Sequence, residues 1–337
     1  MSLPVLDVDT TSPEVVLTAL QGHGAILAVD ASVPAHRSDR VLADMRTFFA
    51  RPDSDKAPLA IARSPHFRGH SRMHNERDFR EQIHFGRELP AATGRAEAFW
   101  RLQGPNLWPD DPDWRTRMVE YMHAVEQVGC RLLGKVALAL RLDASRWLGS
   151  DPYLLAKCIG YHPQVEADAP RRGVAAHLDF SLLTLTLQDD VGGLEIRSPS
   201  GGWLMVPPVR GAWLVNIGEL LQFVTGDRLV ATPHRVVNPS LQRTRCSMPV
   251  FVNPSLDTTL VREVPRTSAS TADRAEHVHA VLDPASPGSA LPYGEREWRR
   301  KGEGEWCAAC VRSAAAATAP DDVGPRAPTG SPSPGRT

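Results

Sequence analysis

At 337 residues, with 42% hydrophobic and 23% charged positions, the chain can bury a large core as one elaborated domain or two smaller ones, which excludes disorder as its main theme. Its 38 Lys+Arg against 39 Asp+Glu leave a formal net charge of -1, which removes the general electrostatic case for a nucleic-acid or membrane-surface partner. No stretch approaches the roughly 18 to 20 uncharged apolar residues of a membrane span.

The acidic opening MSLPVLDVDTTSPEVV lacks the basic and apolar parts of a secretory signal, so a cytoplasmic protein is expected. Five cysteines, Cys130, Cys158, Cys246, Cys307 and Cys310, are too few and odd in number for a disulfide framework and fit a reducing compartment. Cys307 and Cys310 have CxxC spacing but no second pair or βαβ context, so they read as two thiols near a C-terminal helix.

In chain order, residues 1–150 read as a helical or mixed region. Within it Val41, Leu42, Met45, Phe48 and Phe49 recur at helical spacing over Pro34 to Ala50. A longer helix is expected over Asp113 to Leu140, where Met118, Tyr121, Met122, Val125, Val128, Leu132 and Leu133 share a face and Asp111-Pro112 supplies the break before it. The His- and Arg-rich stretch between them, from Ser64, has no clean period. Its Arg68, His70, Arg72, His74, Arg77 and Arg80 could meet an anionic or amino-acid substrate, although such runs are more often solvated. A second metal on His66, His70 and His74 is also conceivable.

From residue 151 to 256 the pattern changes to short apolar runs broken by turn residues: LLAKCIGYH, SLLTLTLQ, GLEIRS, WLMVP, AWLVNIG, RLVATPHRVV and TRCSMPVFVN. Leucines 183, 185 and 187 alternate with Thr184 and Thr186, the period of a half-buried strand. The fold class expected is α+β with a β-rich core, two packed antiparallel sheets or a jelly roll. An extension over 257–312 carries a helix near Glu295 to Arg312, and the proline-rich tail 313–337 is expected to be disordered.

His177 and Asp179 at the mouth of one strand point the same way in extended backbone and make two teeth of a chelate. His234 in a later strand can supply a third ligand, giving the two-histidine, one-carboxylate face that leaves positions open on non-haem Fe(II). An HxD alone is weak, since it recurs by chance and a lone strand histidine is usually a hydrogen-bonded core residue. Arg245 strengthens it. Eleven residues past His234, with Ser247 on its face, this guanidinium is a fork for a carboxylate, so a short dicarboxylate could bridge it to the metal.

The runs AHLDFSLLTLTLQDDVGGLEI, WLVNIGELLQFVTGDRLVATPHRVV and TRCSMPVFVNP resemble the core of the iron(II)- and 2-oxoglutarate-dependent dioxygenases of the isopenicillin N synthase-like superfamily, especially bacterial members related to the ethylene-forming enzyme. The resemblance implies a double-stranded β-helix with a mainly helical N-terminal region and a C-terminal helix. It implies Fe(II), with 2-oxoglutarate and O2 as cosubstrates, and release of succinate and CO2. His177, Asp179 and His234 would hold iron, Arg245 and Ser247 the distal carboxylate of 2-oxoglutarate. Tyr161 matches a tyrosine that often touches the cosubstrate, with His162 the alternative if the alignment slips by one. Asn216 matches an asparagine found near the iron.

The implied activity is hydroxylation of a small molecule, an amino acid or secondary metabolite, by a monomer with no nucleic-acid or membrane partner. Oxidative cyclisation, desaturation or ethylene formation on the same scaffold is the alternative, and a non-catalytic jelly-roll binding protein the remote one. Because Asp179 occupies the position that related halogenases leave small, halogenation is disfavoured. Leu183, Leu185 and Phe251 would wall the reacting centre if they face inward.

Overall fold

Local signals set the helix ends. In the computed structural model, which describes residues 2–75, 77–164, 172–198, 201–238, 242–264 and 291–303, α1 (Pro13–His23) starts on Ser12, whose side chain accepts from the Val15 N–H, and stops at a left-handed Gly24. The helix α2 (Ala35–Phe49) buries Val41, Leu42, Met45, Phe48 and Phe49, the face expected of it. One turn, α3 (Asp53–Lys56), follows. The Asp111 carboxylate caps α4 (Pro112–Leu140) by accepting from the Trp114 N–H at 2.9 Å. Short helices α5 (Ser145–Leu148) and α6 (Glu219–Val224) and a C-terminal α7 (Tyr293–Glu303) complete the set among the described residues. The expectations for residues 304–312, for Cys307 and Cys310 and for the tail 313–337 lie outside the described residues.

Among the described residues twelve strands form two sheets. In chain order they are β1 (Val5–Asp7), β2 (Ala25–Val29), β3 (Gly69–His74), β4 (Phe79–Gly86), β5 (Pro152–Tyr161), β6 (Arg172–His177), β7 (Leu183–Gln188), β8 (Leu194–Arg197), β9 (Trp203–Met205), β10 (Trp213–Ile217), β11 (His234–Val237) and β12 (Arg245–Ser255). The larger sheet runs β1-β2-β10-β7-β12-β5-β4-β3 and the smaller β6-β11-β8-β9. Four strands of the larger sheet therefore come from the first 150 residues, and the stretch without a clean period folds as the antiparallel β3–β4 hairpin. This is the α+β jelly-roll architecture that the family resemblance implies, and one of the two arrangements that the spacing of the apolar runs allows.

Alternation along the strands of the larger sheet sorts side chains between two environments. Odd-numbered leucines of β7 and even-numbered residues of β12, Met248, Val250 and Val252, join the helix-covered core with Val125, Val128 and Leu132 of α4. The opposite face meets the smaller sheet, where Ile159 and Tyr161 of β5 pack with Val174, Leu194, Ile196 and Val236. Leu183 and Leu185 consequently do not wall the cavity between the sheets, as they would if apolar residues faced inward. They lie under α4, and Thr186 is the β7 residue that faces the cavity. Phe251 does line it.

Gly129 lets α4 approach the sheet: a Cβ there would lie 2.5 Å from Val252 Cγ2 and 3.1 Å from Leu185 Cδ1. Gly129→Ala gains about 1 kcal/mol of helix propensity. It meets a β-branched strand residue with little freedom to turn, and overpacking of this kind costs about 1–3 kcal/mol. The expected outcome is a lower urea midpoint for the variant. A midpoint above wild type would show that α4 can shift freely.

Candidate active site

His177 closes β6 and His234 opens β11, and the antiparallel register sets them directly opposite one another. Their ring centroids are 4.2 Å apart. Asp179 follows in the loop that leaves β6, with Oδ1 3.8 Å from His177 Nε2 and Oδ2 3.6 Å from His234 Nε2. One donor atom from each of the three lies within 4.8 Å of the other two. Among the described residues no other group of three histidine, cysteine or acidic side chains meets in this way.

The imidazoles are oriented by their backbone. His177 Nδ1 lies 2.9 Å from the Ala175 carbonyl and His234 Nδ1 3.0 Å from the Thr232 carbonyl. A carbonyl only accepts, so each Nδ1 carries the proton and each Nε2 keeps its lone pair for the centre of the cluster. Burial and the neighbouring His234 push the His177 imidazole toward its neutral form. Burial alone would raise the Asp179 carboxyl. The adjacent imidazoles, with hydrogen bonds from Asn216 and Thr184, outweigh it and hold the group as a carboxylate. Asn216 Nδ2 donates to Asp179 Oδ2 at 2.9 Å, so it fixes the carboxylate rather than joining the cluster. Two neutral nitrogens and one anionic oxygen on one side of a point suit a ferrous ion with open positions.

The same cavity, of about 260 Å³, reaches Arg245, Ser247 and Tyr161. Arg245 is fully buried. Its Nε donates to the Gly192 carbonyl and its Nη2 to Gln188 Oε1 at 3.4 Å, while Nη1 is buried with no hydrogen-bond partner. Among the described residues no acidic side chain forms an ion pair with it. A buried guanidinium with a spare donor is costly unless an anion arrives. The orphaned Nη1 therefore fits the carboxylate of 2-oxoglutarate. Tyr161 stands opposite Arg245 in register, with its ring 4.9 Å from the Arg245 Cζ. His162 turns to the other face of the sheet, where its Nε2 reaches Glu81 Oε2 at 2.5 Å.

The basic stretch from Arg68 to Arg80 does not gather into a second site. Arg68 is buried against the Leu102 carbonyl and the Tyr153 hydroxyl. His70 and Arg72 turn to Glu81, and His66 Nδ1 meets the Arg101 carbonyl. His74 stacks on Phe79. Arg80 alone of that group lines the cavity. Sequence reasoning missed Lys157 of β5 and Tyr293, Glu297 and Arg300 of α7, which line it too. A lone lysine within LLAKCIGYH was the available signal for the first. The α7 residues carried none, because their distance in sequence hides their proximity.

A jelly roll holding two histidines and an aspartate beside a buried, anion-seeking arginine defines a non-haem Fe(II) oxygenase. Residues 150–254 match the model of the 2OG-Fe(II) oxygenase superfamily, and residues 3–111 that of the non-haem dioxygenase in morphine synthesis N-terminal region. The chain is 32% identical over 246 residues to the 2-oxoglutarate-Fe(II) type oxidoreductase hxnY of Emericella nidulans, covering 67% of this chain and 69% of that one. It is 31% identical over 264 residues to a bi-functional coumaroyl CoA and feruloyl CoA ortho-hydroxylase of Ipomoea batatas, covering 75% and 70%. A solved 2OG-Fe(II) oxygenase family protein from Caulobacter crescentus shares the fold, with TM-score 0.70, 23% identity and coverage of 89% and 98%. The chain belongs to the 2OG-Fe(II) oxygenase superfamily: it is a 2-oxoglutarate-dependent dioxygenase that uses Fe(II) and 2-oxoglutarate. No helix among the described residues is long and apolar enough to cross a membrane.

Proposed function

We propose that the enzyme hydroxylates a small molecule, with His177, Asp179 and His234 as iron ligands and Arg245 and Ser247 as the seat of the distal carboxylate of 2-oxoglutarate. The observation that carries this reading is the pairing, in one cavity, of three converging donors with a buried arginine that keeps an unused N–H. Bound Fe(II) with 2-oxoglutarate and O2 supplies a two-electron oxidant while succinate and CO2 are released. The chain does the rest. Its three donors, His177, Asp179 and His234, would hold the ion and leave positions free for the cosubstrates. Arg245 orients the cosubstrate by a charge-assisted contact, with the Tyr161 ring beneath the guanidinium. Phe251 and Phe180 exclude water from the space next to the ligand cluster. The hydroxylase relative from Ipomoea batatas supports hydroxylation as the outcome.

Anaerobic titration with Fe(II) and 2-oxoglutarate tests the reading: a weak visible charge-transfer band should appear, and its absence at saturation would end it. Arg245→Gln should raise the 2-oxoglutarate concentration needed for half-saturation by about 10- to 100-fold, the loss expected for a charge-assisted contact of about 1.5–3 kcal/mol. Fe(II) affinity should stay unchanged. An unaltered 2-oxoglutarate requirement would remove Arg245 from the cosubstrate site.

A further inference from the structure

Besides Arg245, three further cations line the cavity, Arg80, Lys157 and Arg300. β4 and β5 run antiparallel, with His84 opposite Lys157 and Glu81 opposite Gly160. Arg80 and Lys157 therefore project from neighbouring strands onto the same inner face, and both line the cavity. Arg300 reaches the same space from α7.

These cations differ in how far they are committed. Arg300 is held by Glu297, donating from Nε at 2.8 Å and from Nη2 at 3.1 Å. Glu297 also takes the Lys301 ammonium at 3.1 Å, so the one glutamate serves two cations. Arg80 has an ion pair with Asp78 at 3.3 Å through Nη2, the same nitrogen that approaches Met73 Sδ at 3.6 Å, while its Nε is buried with no hydrogen-bond partner. The Lys157 ammonium sits 4.9 Å from the centre of the Phe251 ring, so its stem and head lie against the cavity wall. Burial lowers the Lys157 ammonium to about 7, and repulsion from Arg80, Lys301 and Arg300 pushes in the same direction, against attraction from Asp179.

Cations lining one half-enclosed space repel one another, and an anion seated among them relieves that repulsion and restores the full charge of the lysine. We propose that Arg80 and Lys157 form a carboxylate seat for the substrate, so that the molecule oxidised is an organic acid and not its neutral counterpart. Lys157 lies on the wall of the cavity that also holds Phe251, and Arg80 stands farther along the same face, toward Tyr161 and Arg245. An acid anchored there extends its carbon chain toward the His177, Asp179 and His234 cluster, and the distance from carboxylate to reacting carbon is set by the protein. This inference rests on the function proposed above and names the substrate class for that site.

The test uses the full chain, saturated anaerobically with Fe(II) and 2-oxoglutarate so that the cosubstrate site is already filled. Hexanoate, 3-phenylpropionate and N-acetylglycine are titrated by calorimetry, each against its own primary amide. At least one acid should bind about tenfold more tightly than its amide, the discrimination a charge-assisted contact gives. The combined variant Lys157→Met with Arg80→Gln should bring acid and amide to near equality, and Arg80→Lys should retain part of the preference. The 2-oxoglutarate affinity of the combined variant should match wild type.

Equal binding of acids and amides by wild type, binding of no acid at all, or a preference that survives in the combined variant would each overturn the proposal. So would a large loss of 2-oxoglutarate affinity in that variant, which would assign the two cations to the cosubstrate. The wild-type comparison decides the matter even if the combined variant fails to fold. Failure of the underlying metal assignment reads out separately, as a missing charge-transfer band in wild type.

Discussion

Asp179→Ala should abolish Fe(II)-dependent turnover and leave the fold in place. In the native protein the carboxylate supplies the only negative charge among the three donors, within 3.8 and 3.6 Å of the two imidazoles. Alanine leaves two neutral nitrogens facing each other, a weak pair for a hard ferrous ion. The structural cost is smaller. Asn216 Nδ2 loses its acceptor, and an unsatisfied buried donor costs about 1–3 kcal/mol.

Asn216→Ala separates orientation from ligation. It keeps the carboxylate but frees it to rotate, and loss of such an outer contact lowers metal affinity by about 10- to 100-fold. Equilibrium dialysis against Fe(II) under nitrogen should therefore rank wild type above Asn216→Ala and Asn216→Ala above Asp179→Ala. Succinate release should follow that order, and far-ultraviolet circular dichroism should be alike for all three. Full turnover in the Asp179→Ala protein would remove this carboxylate from the reaction.

The convergence of the three candidate ligands was legible because it depends on local geometry. Residues 177 and 179 are two apart in a chain that is extended up to His177, and His234 meets them through a register that the apolar runs on either side already imply. That Arg245 and Ser247 share the cavity was legible for the same reason, as alternate residues of one strand. The alternation of leucine and threonine in β7 was equally clear, yet it says only that the two faces differ. Which face is inside depends on α4, whose apolar stripe covers the leucines and leaves Thr186 to the cavity. In the β3–β4 hairpin the apolar face of β4, with Ile83 and Phe85, also carries Glu81, and β3 is polar apart from Met73, so no clean pattern separated Arg80, which enters the cavity, from Arg72 and His70, which leave it. Lys157 shares the β5 face of Tyr161 and lay within reach of the strand period, whereas Arg300 enters from α7 against Phe180, far from it in sequence, and no local period records that.

Glu81→Gln should destabilise the protein more than any surface change. Glu81 is fully buried on the face of β4 opposite Arg80, and it accepts from Lys56 Nζ at 2.7 Å, His70 Nε2 at 2.6 Å and His162 Nε2 at 2.5 Å. Burial alone would raise its carboxyl. The hydrogen bonds from His162, His70 and Lys56 reverse that and hold it far below its ordinary 4.5. A depressed folded-state value stabilises the protein in full above the ordinary carboxylate range and is lost as pH falls below about 4.5 toward the folded value. Lys56 is itself only 2% exposed, so glutamine leaves a buried ammonium without its anion. Breaking one side of a buried pair costs about 3–5 kcal/mol, whereas replacing both sides with groups of similar volume can be nearly neutral. The urea midpoint at pH 7 should therefore drop sharply in Glu81→Gln and recover in part when Lys56→Met is added. Between pH 5 and pH 3 the wild type should lose stability faster than the single variant. Equal midpoints at pH 7 would mean that water reaches this ion pair and that the hairpin carrying Arg80 is fastened elsewhere.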